Sequence, residues 1–442
     1  MPASARRVVI TGLGLISPVG SSKQALWDAL STGRSGVGAL EAVPSKFLPT
    51  HVAAEAREFT SDIENFGALE KEQKKAIRKG LKVMCRECQM GVAAAQLALA
   101  DAGLVVGGGK YDPDRTGCVF GADYMLTLPE EFSAGISKCR SADGLFDYNR
   151  WATEGMPQLS PLWLLKYLPN MPASHVAIYN DLRGPNNSIT HREAAANLAV
   201  GEAYRTILRG SAEIMVVGAT GTRVHPMKTV HAIQTEELAT NGVEPAKASR
   251  PFDKNRTGMV LGEGAGAIVI EELATAQARG ATILGEIVGH GSSHVADKNC
   301  VAHRDVALKN VMNNSLRGAG MSPGEVGHIH AHGLSTRSCD IDEAKAIREV
   351  FGSAADQVPV TAAKSYFGNL GAGSGMIELI ASLLALSNGK LFPVLNYETP
   401  DPECPIRVVA PHNSSASPGH SFLNLSVTPQ GQASGVLVRA MA

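Results

Sequence analysis

Residues 184–210 read GPNNSITHREAAANLAVGEAYRTILRG, and the rest of the chain is organised around them. A short polar extended run, 186–190, passes directly into a segment with Leu198, Ala199, Ala203, Ile207 and Leu208 at helical spacing. That pattern predicts a strand, a sharp turn and a buried amphipathic helix. First-turn backbone N–H groups have no intrahelical partner and lie at the positive end of the helix dipole, so the turn offers an anion site. Position 193, at the turn, is a glutamate.

Working outward, a β-branched run at 7–11 enters GLGLISPVG, where glycines after a strand permit close approach of another backbone or ligand. Ser21 or Ser22 then caps a helix carrying Leu26, Trp27 and Leu30, which stops near Gly33. Apolar residues from Ile77 to Leu99 at spacings of three and four predict one long core helix over 74–102. CVFGA at 118–122 reads as a buried strand, and 122–175 is a long excursion of the kind that builds a binding wall, a lid or a subunit contact. EIMVVGATG at 213–221 is a continuous apolar strand. Gly262, Gly264 and Gly266 precede an expected strand at 267–270; a nucleotide loop would follow a strand and open a helix, so these glycines point to close backbone packing.

ATILGEIVGHGSS from 281 echoes the rhythm of RVVITGLGLIS from 7, and similar elements follow each. Each half reads as βαβαβαβ with a parallel apolar sheet. Active residues are expected where two fused α/β copies face each other, at strand-to-helix turns.

Composition bounds the function. With 442 residues, 44% hydrophobic, the chain can bury a large core. Forty-one Lys and Arg against 42 Asp and Glu give a net charge of -1 and no general attraction to nucleic acid or an anionic membrane. The N-terminal MPASARRVVITG lacks a signal-peptide core and no stretch approaches the roughly 18 apolar residues of a span, so the cytoplasm is the expected location. Seven scattered cysteines, an odd number, fit reduced thiols. Cys85 and Cys88 have half-zinc-site spacing, but no second pair of matching spacing follows and Cys88 falls on one helix face with Leu81, Met84 and Val92, so a core role is expected.

The second half supplies further candidates. His328, His330 and His332 alternate along one strand face; either a metal site, or a functional His332 before Gly333 with the other two structural or superficial, fits that spacing. Asp340 and Glu343 suit an ordinary acidic helix start. Lys364, between an apolar strand and the glycine-rich helix start GAGSG, must find an acceptor, and Glu378 is the expected partner.

Together RRVVITGLGLISPVG, LRGPN at 182–186, FDKNRTGMVLGEGAGAIVIEE from 252, HAHGLST from 330 and AAKSYFGNLGAGSG from 362 resemble the β-ketoacyl-acyl-carrier-protein synthases, nearly end to end. The resemblance implies a thiolase-like five-layered αβαβα fold of two duplicated halves, here 1–272, with an insert at about 107–175, and 273–442. It implies a dimer through the strand at 186–190 and no cofactor or metal. The family's nucleophilic cysteine falls on Glu193, its first histidine on His332 and its second on Asn369, while its lysine and glutamate are kept as Lys364 and Glu378. Its glycine-rich C-terminal loop reads SVTPQGQAS at 426–434.

Acyl transfer from a thioester needs an activated nucleophile and donors for the developing oxyanion. A carboxylate held by helix N–H groups is a poor nucleophile, and THRE at 190–193 is a capping-box pattern that would fold Glu193 back onto Thr190. Three readings follow. One is a non-condensing subunit similar to chain-length factors, which shapes an acyl pocket, binds acyl carrier protein or an acyl-CoA thioester, and forms a homodimer or a heterodimer with an active synthase. Another is a decarboxylase, hydrolase or acyltransferase using Glu193 with His332 and Asn369. The last is a scaffold or binding role unrelated to acyl thioesters.

Overall fold

The computed structural model describes residues 6–240, 242–413 and 416–441, so the first five residues of the N-terminal stretch quoted above lie outside it. Among the described residues the chain forms β1 (Val8–Ile16), β2 (Gly38–Ala39), β3 (Val52–Ala54), β4 (Thr116–Ala122), β5 (Asn186–Thr190), β6 (Ile214–Thr222), β7 (Leu261–Glu272), β8 (Gly285–His294), β9 (His328–His330), β10 (Val360–Thr361), β11 (Ser421–Val427) and β12 (Gln432–Arg439). Ten of them run β10-β9-β11-β12-β8-β1-β7-β6-β4-β5, with the β2–β3 hairpin beside β7. Read outward from the centre, β1-β7-β6-β4-β5 and β8-β12-β11-β9-β10 repeat one order, and β1 joins β8 by a short antiparallel ladder from Val8–Ile287 to Ile10–Gly285. This is a thiolase-like α/β fold with a duplicated sheet.

The sheet is mixed, which corrects the expected all-parallel halves. β7 lies antiparallel to β1 and β6, and β12 antiparallel to β11 and β8; among the described residues the parallel pairs are β4–β5, β4–β6, β9–β10, β9–β11 and the short β3–β7. Only four residues, 428–431, join β11 to β12, and so short a connection returns the chain antiparallel.

Two helices, Ala195–Leu208 and Ser374–Asn388, pack on each other and on strands of both halves. Helices Arg86–Asp101 on one side and Arg304–Ala319 on the other cover the outer faces, giving helix, sheet, helix, sheet, helix. A helix between two sheets must be slim: Ala195, Ala196, Ala199 and Ala203 are buried, whereas Leu208, expected inside, is exposed. The glycines 262–266 lie within β7 rather than before it. A Cβ at Gly264 would sit 2.7 Å from the Ile16 carbonyl oxygen and one at Gly266 2.8 Å from Met376, so close backbone packing is their role.

The helix expected over 74–102 is two helices, Lys71–Gly80 and Arg86–Asp101, parted by a 3-10 turn and by extended Met84 and Cys85. The Cys85 N–H leaves the helical ladder for the Lys166 carbonyl at 3.3 Å. Ile77, Met84 and Cys88 still face one core, so the apolar period continues where the backbone does not.

Candidate functional site

Strand ends of both halves converge on one buried cluster. Asp123 follows β4, Arg223 follows β6, Glu193 lies three residues beyond β5 and His332 two beyond β9. Lys364 and Asn369 follow β10, and Glu378 lies in helix Ser374–Asn388. Each of these side chains is essentially removed from solvent.

Helix Ala195–Leu208 is entered through a 3-10 turn, Arg192–Ala194, and Arg192 adopts the left-handed backbone (φ 47°), which is costly for a residue with a Cβ and aims the next side chain inward. Glu193 does not fold back on Thr190, so the capping-box expectation fails. Its Oε1 accepts from Arg223 Nη2 and from Asn369 Nδ2 at 3.1 Å, and Arg192 Nε lies 3.4 Å from Oε2. Two guanidinium charges outweigh the single backbone N–H a capping box would offer. Arg223, fully buried, also lies 3.7 Å from Asp123 and 3.8 Å from Glu236, while Arg192 bonds Glu236 at 2.7 Å and Gln430 at 3.3 Å.

Burial opposes the Glu193 charge, but Arg192 and Arg223 overcome it and hold the carboxyl well below the usual range. Burial likewise opposes the Arg223 charge, and Glu193, Asp123 and Glu236 hold it on. Glu193 is therefore a locked anion, with no proton to give and one oxygen doubly engaged.

The C-terminal half provides a different cluster. Lys364 Nζ contacts Glu378 Oε1, as the sequence predicts, and reaches the His332 carbonyl at 2.8 Å and His332 Nδ1 at 3.3 Å. Burial, then the Lys364 charge, push the His332 imidazole well below its ordinary value, so it is neutral with Nδ1 as acceptor. Asn369 ties Glu193 to the glycine-rich helix start, donating to Glu193 and accepting from the Gly371 N–H at 3.0 Å.

Asp340 and Glu343 are more than an acidic helix start. Glu343 accepts from the N–H groups of His332 (2.7 Å) and Gly333 (2.8 Å), and Asp340 from those of Leu334 (2.9 Å), Ser335 (3.1 Å) and Phe252 (2.8 Å). These two buried carboxylates fix the His332 loop. Burial pushes Asp340 up to about 6 and Glu343 up to about 7. His328 and His330 are structural, not superficial. His328 meets the Pro418 carbonyl and Ser382, and His330 meets Ser382 and the Ala363 N–H, so all four ring nitrogens are engaged and neither ring has a lone pair for a metal.

Sequence reasoning missed Arg223, Asp123 and Glu236. One signal was available: an arginine at the end of the apolar strand 213–221 must find a carboxylate.

Known proteins share this architecture. The chain matches the beta-ketoacyl synthase N-terminal domain over residues 5–276 and the C-terminal domain over 284–398. It is 32% identical over 413 residues to the 3-oxoacyl-(acyl-carrier-protein) synthase 2 of Synechocystis sp., covering 91% of each chain. Two solved structures superpose on it at 26% identity and 99% coverage of this chain with full coverage of theirs: the ishigamide ketosynthase/chain length factor (TM-score 0.82), and a type II PKS acyl-carrier protein in complex with its ketosynthase bound to the hexaketide (TM-score 0.79). The chain belongs to the β-ketoacyl synthase family. It is a ketosynthase-like protein of fatty acid or polyketide biosynthesis, and among its described residues no helix is long and apolar enough to cross a membrane.

Proposed function

We propose that this chain is a non-condensing subunit, similar to chain-length factors, that pairs with an active ketosynthase and handles acyl chains delivered by an acyl carrier protein. The observation that carries the reading is the buried Glu193–Arg223 pair at the turn where the family resemblance puts the nucleophile. A carboxylate neutralised by two guanidinium groups is a poor nucleophile toward a thioester, and the fully buried Arg223 side chain takes up space against it. The Lys364–Glu378–His332 cluster then stabilises the shell. The relatives' name speaks for condensation, and the proposal departs from that name at position 193. Two features support pairing. Among the described residues β5 has a neighbour on one side only and exposes Asn186, Asn187 and Thr190, and one structural relative is described as a ketosynthase/chain length factor. The reading with Glu193 as a base loses support because Arg223 and Asn369 already occupy its Oε1.

The test is intact-mass analysis of the purified chain after incubation with malonyl- and acyl-carrier-protein thioesters. No acyl adduct and no ketoacyl product are expected, and Glu193→Cys alone is expected to stay unacylated because Arg223 remains. Turnover that disappears in Glu193→Gln would overturn the proposal. Co-expression with a ketosynthase is expected to give a heterodimer.

A further inference from the structure

The Cys85–Cys88 pair gains a third sulfur from a distant segment. Cys85 is the N-cap of helix Arg86–Asp101 and Cys88 lies in its first turn, with their Sγ atoms 3.6 Å apart. Met125, three residues past β4, brings its Sδ to 3.7 Å from Cys85 Sγ and 3.8 Å from Cys88 Sγ. The three sulfurs form a nearly equilateral triangle whose centre is about 2.1 Å from each, against about 2.3 Å for a metal–thiolate bond, so a few tenths of an ångström of outward motion would seat an ion.

Donor chemistry selects the ion. Thiolate and thioether together suit copper(I), whereas zinc favours a closed tetrahedral set of N, O and thiolate ligands. Among the described residues no group of three His, Cys, Asp or Glu side chains is placed to hold a metal. Glu87, whose Oε2 is 3.9 Å from Cys85 Sγ, already pairs with Lys228. Two thiolates around a monovalent cation leave one negative charge at a helix N-terminus, where the dipole favours it; hydrogen bonding with Cys85, burial and Glu87 push the Cys88 thiol up, so the metal must displace that proton.

There is also a route in. Cys85 is half-buried and lines a cavity of about 340 Å³ with Met84, Leu126, Leu128 and Tyr167. The charged side chains in its wall are engaged elsewhere: Arg86 with Glu263, Glu87 with Lys228 and Lys166 with Glu131.

We propose that Cys85, Cys88 and Met125 form a trigonal all-sulfur site for a soft monovalent metal ion of the copper(I) class. Binding forms three metal–sulfur bonds and releases the two thiol protons to water, with no change of oxidation state. Affinity therefore falls as pH falls.

The experiment titrates the reduced full-length protein, under argon, with copper(I) held by bathocuproine disulfonate. One copper per chain is expected to be withdrawn from the chelator, with an absorption-edge spectrum showing three sulfur neighbours. Cys85→Ala and Cys88→Ala should each abolish stoichiometric uptake. Met125→Leu, which keeps volume and packing, should weaken it at least about tenfold, the scale on which metal affinity responds even to residues behind the ligands. Cys300→Ala, an exposed lone thiol, should change nothing. Failure to compete with the chelator, uptake that survives in a folded Cys85→Ala/Cys88→Ala variant, nitrogen or oxygen neighbours, equal retention of zinc(II), or oxidation of the pair to a disulfide in place of binding would each overturn the proposal.

Discussion

The two halves present the same strand order to the shared site but opposite kinds of chemistry at their strand ends. In the N-terminal half Asp123, Glu193 and Arg223, joined by Arg192 and Glu236, close into a buried ion cluster of three carboxylates and two guanidiniums. In the C-terminal half His332 is neutral, Lys364 is matched by Glu378, and two raised carboxylates hold the loop. The scaffold accepts either solution because each buried charge has a partner; what differs is which groups remain able to react. On the proposed reading the Glu193 carboxylate is held by Arg223 and Arg192, whereas the Lys364–Glu378–His332 set of the other half keeps a neutral imidazole and holds the shell together.

Removing Arg223 should break the comparison most sharply. Arg223→Met leaves three carboxylates with Arg192 as their one remaining cation in the cluster, and a loss of about 3–5 kcal/mol in urea unfolding is expected, with much of it recovered in Arg223→Met/Glu193→Gln. A loss below about 1 kcal/mol would mean that the five side chains do not act as one closed unit. Lys364→Met should cost less, about 2–3 kcal/mol, because burial already raises Glu378 and lets it take up a proton. That variant should be more stable at pH 5 than at pH 8, since a carboxyl whose folded pKa is raised contributes stability that is lost as pH rises through it.

The halves should also respond to pH in opposite directions. Glu193, held low when folded, contributes stability that is present above its unfolded value near pH 4.5 and is lost in acid. Asp340 and Glu343, raised to about 6 and about 7, contribute stability that is full below their unfolded values and lost as pH rises through those two. Stability should thus decline by roughly 4 kcal/mol between pH 5 and 8, and Glu343→Gln should flatten that slope even where it lowers the overall value. The smallest effect belongs to Arg192→Ala, about 1 kcal/mol by the same unfolding measurement, because its side chain keeps partial contact with solvent.

Legibility in the sequence followed the range of the interaction. The Lys364–Glu378 pair was readable because the lysine ends an apolar strand and the glutamate lies one helix start away, so few acceptors compete. The ion cluster was not, because Glu193 and Arg223 are 30 residues apart on different elements and a local capping box offered Glu193 a nearer use. The break at Met84 and Cys85 was hidden because both helices bury the same face. His328 and His330 read as structural or surface groups, with a metal site as the alternative, and Ser382, from another helix, decides for the structural role.

The sequence by itself determined the duplicated α/β architecture and the strand–turn–helix at 184–210, since periodicity, glycine spacing and helix stops act over a few residues. Tertiary structure decided the antiparallel β7 and β12, the partners of Glu193, the work of Asp340 and Glu343, and the meeting of Met125 with Cys85 and Cys88. The reason is physical: burial makes every charge and donor seek a complement, and which complement lies within reach is set by how distant strands end side by side.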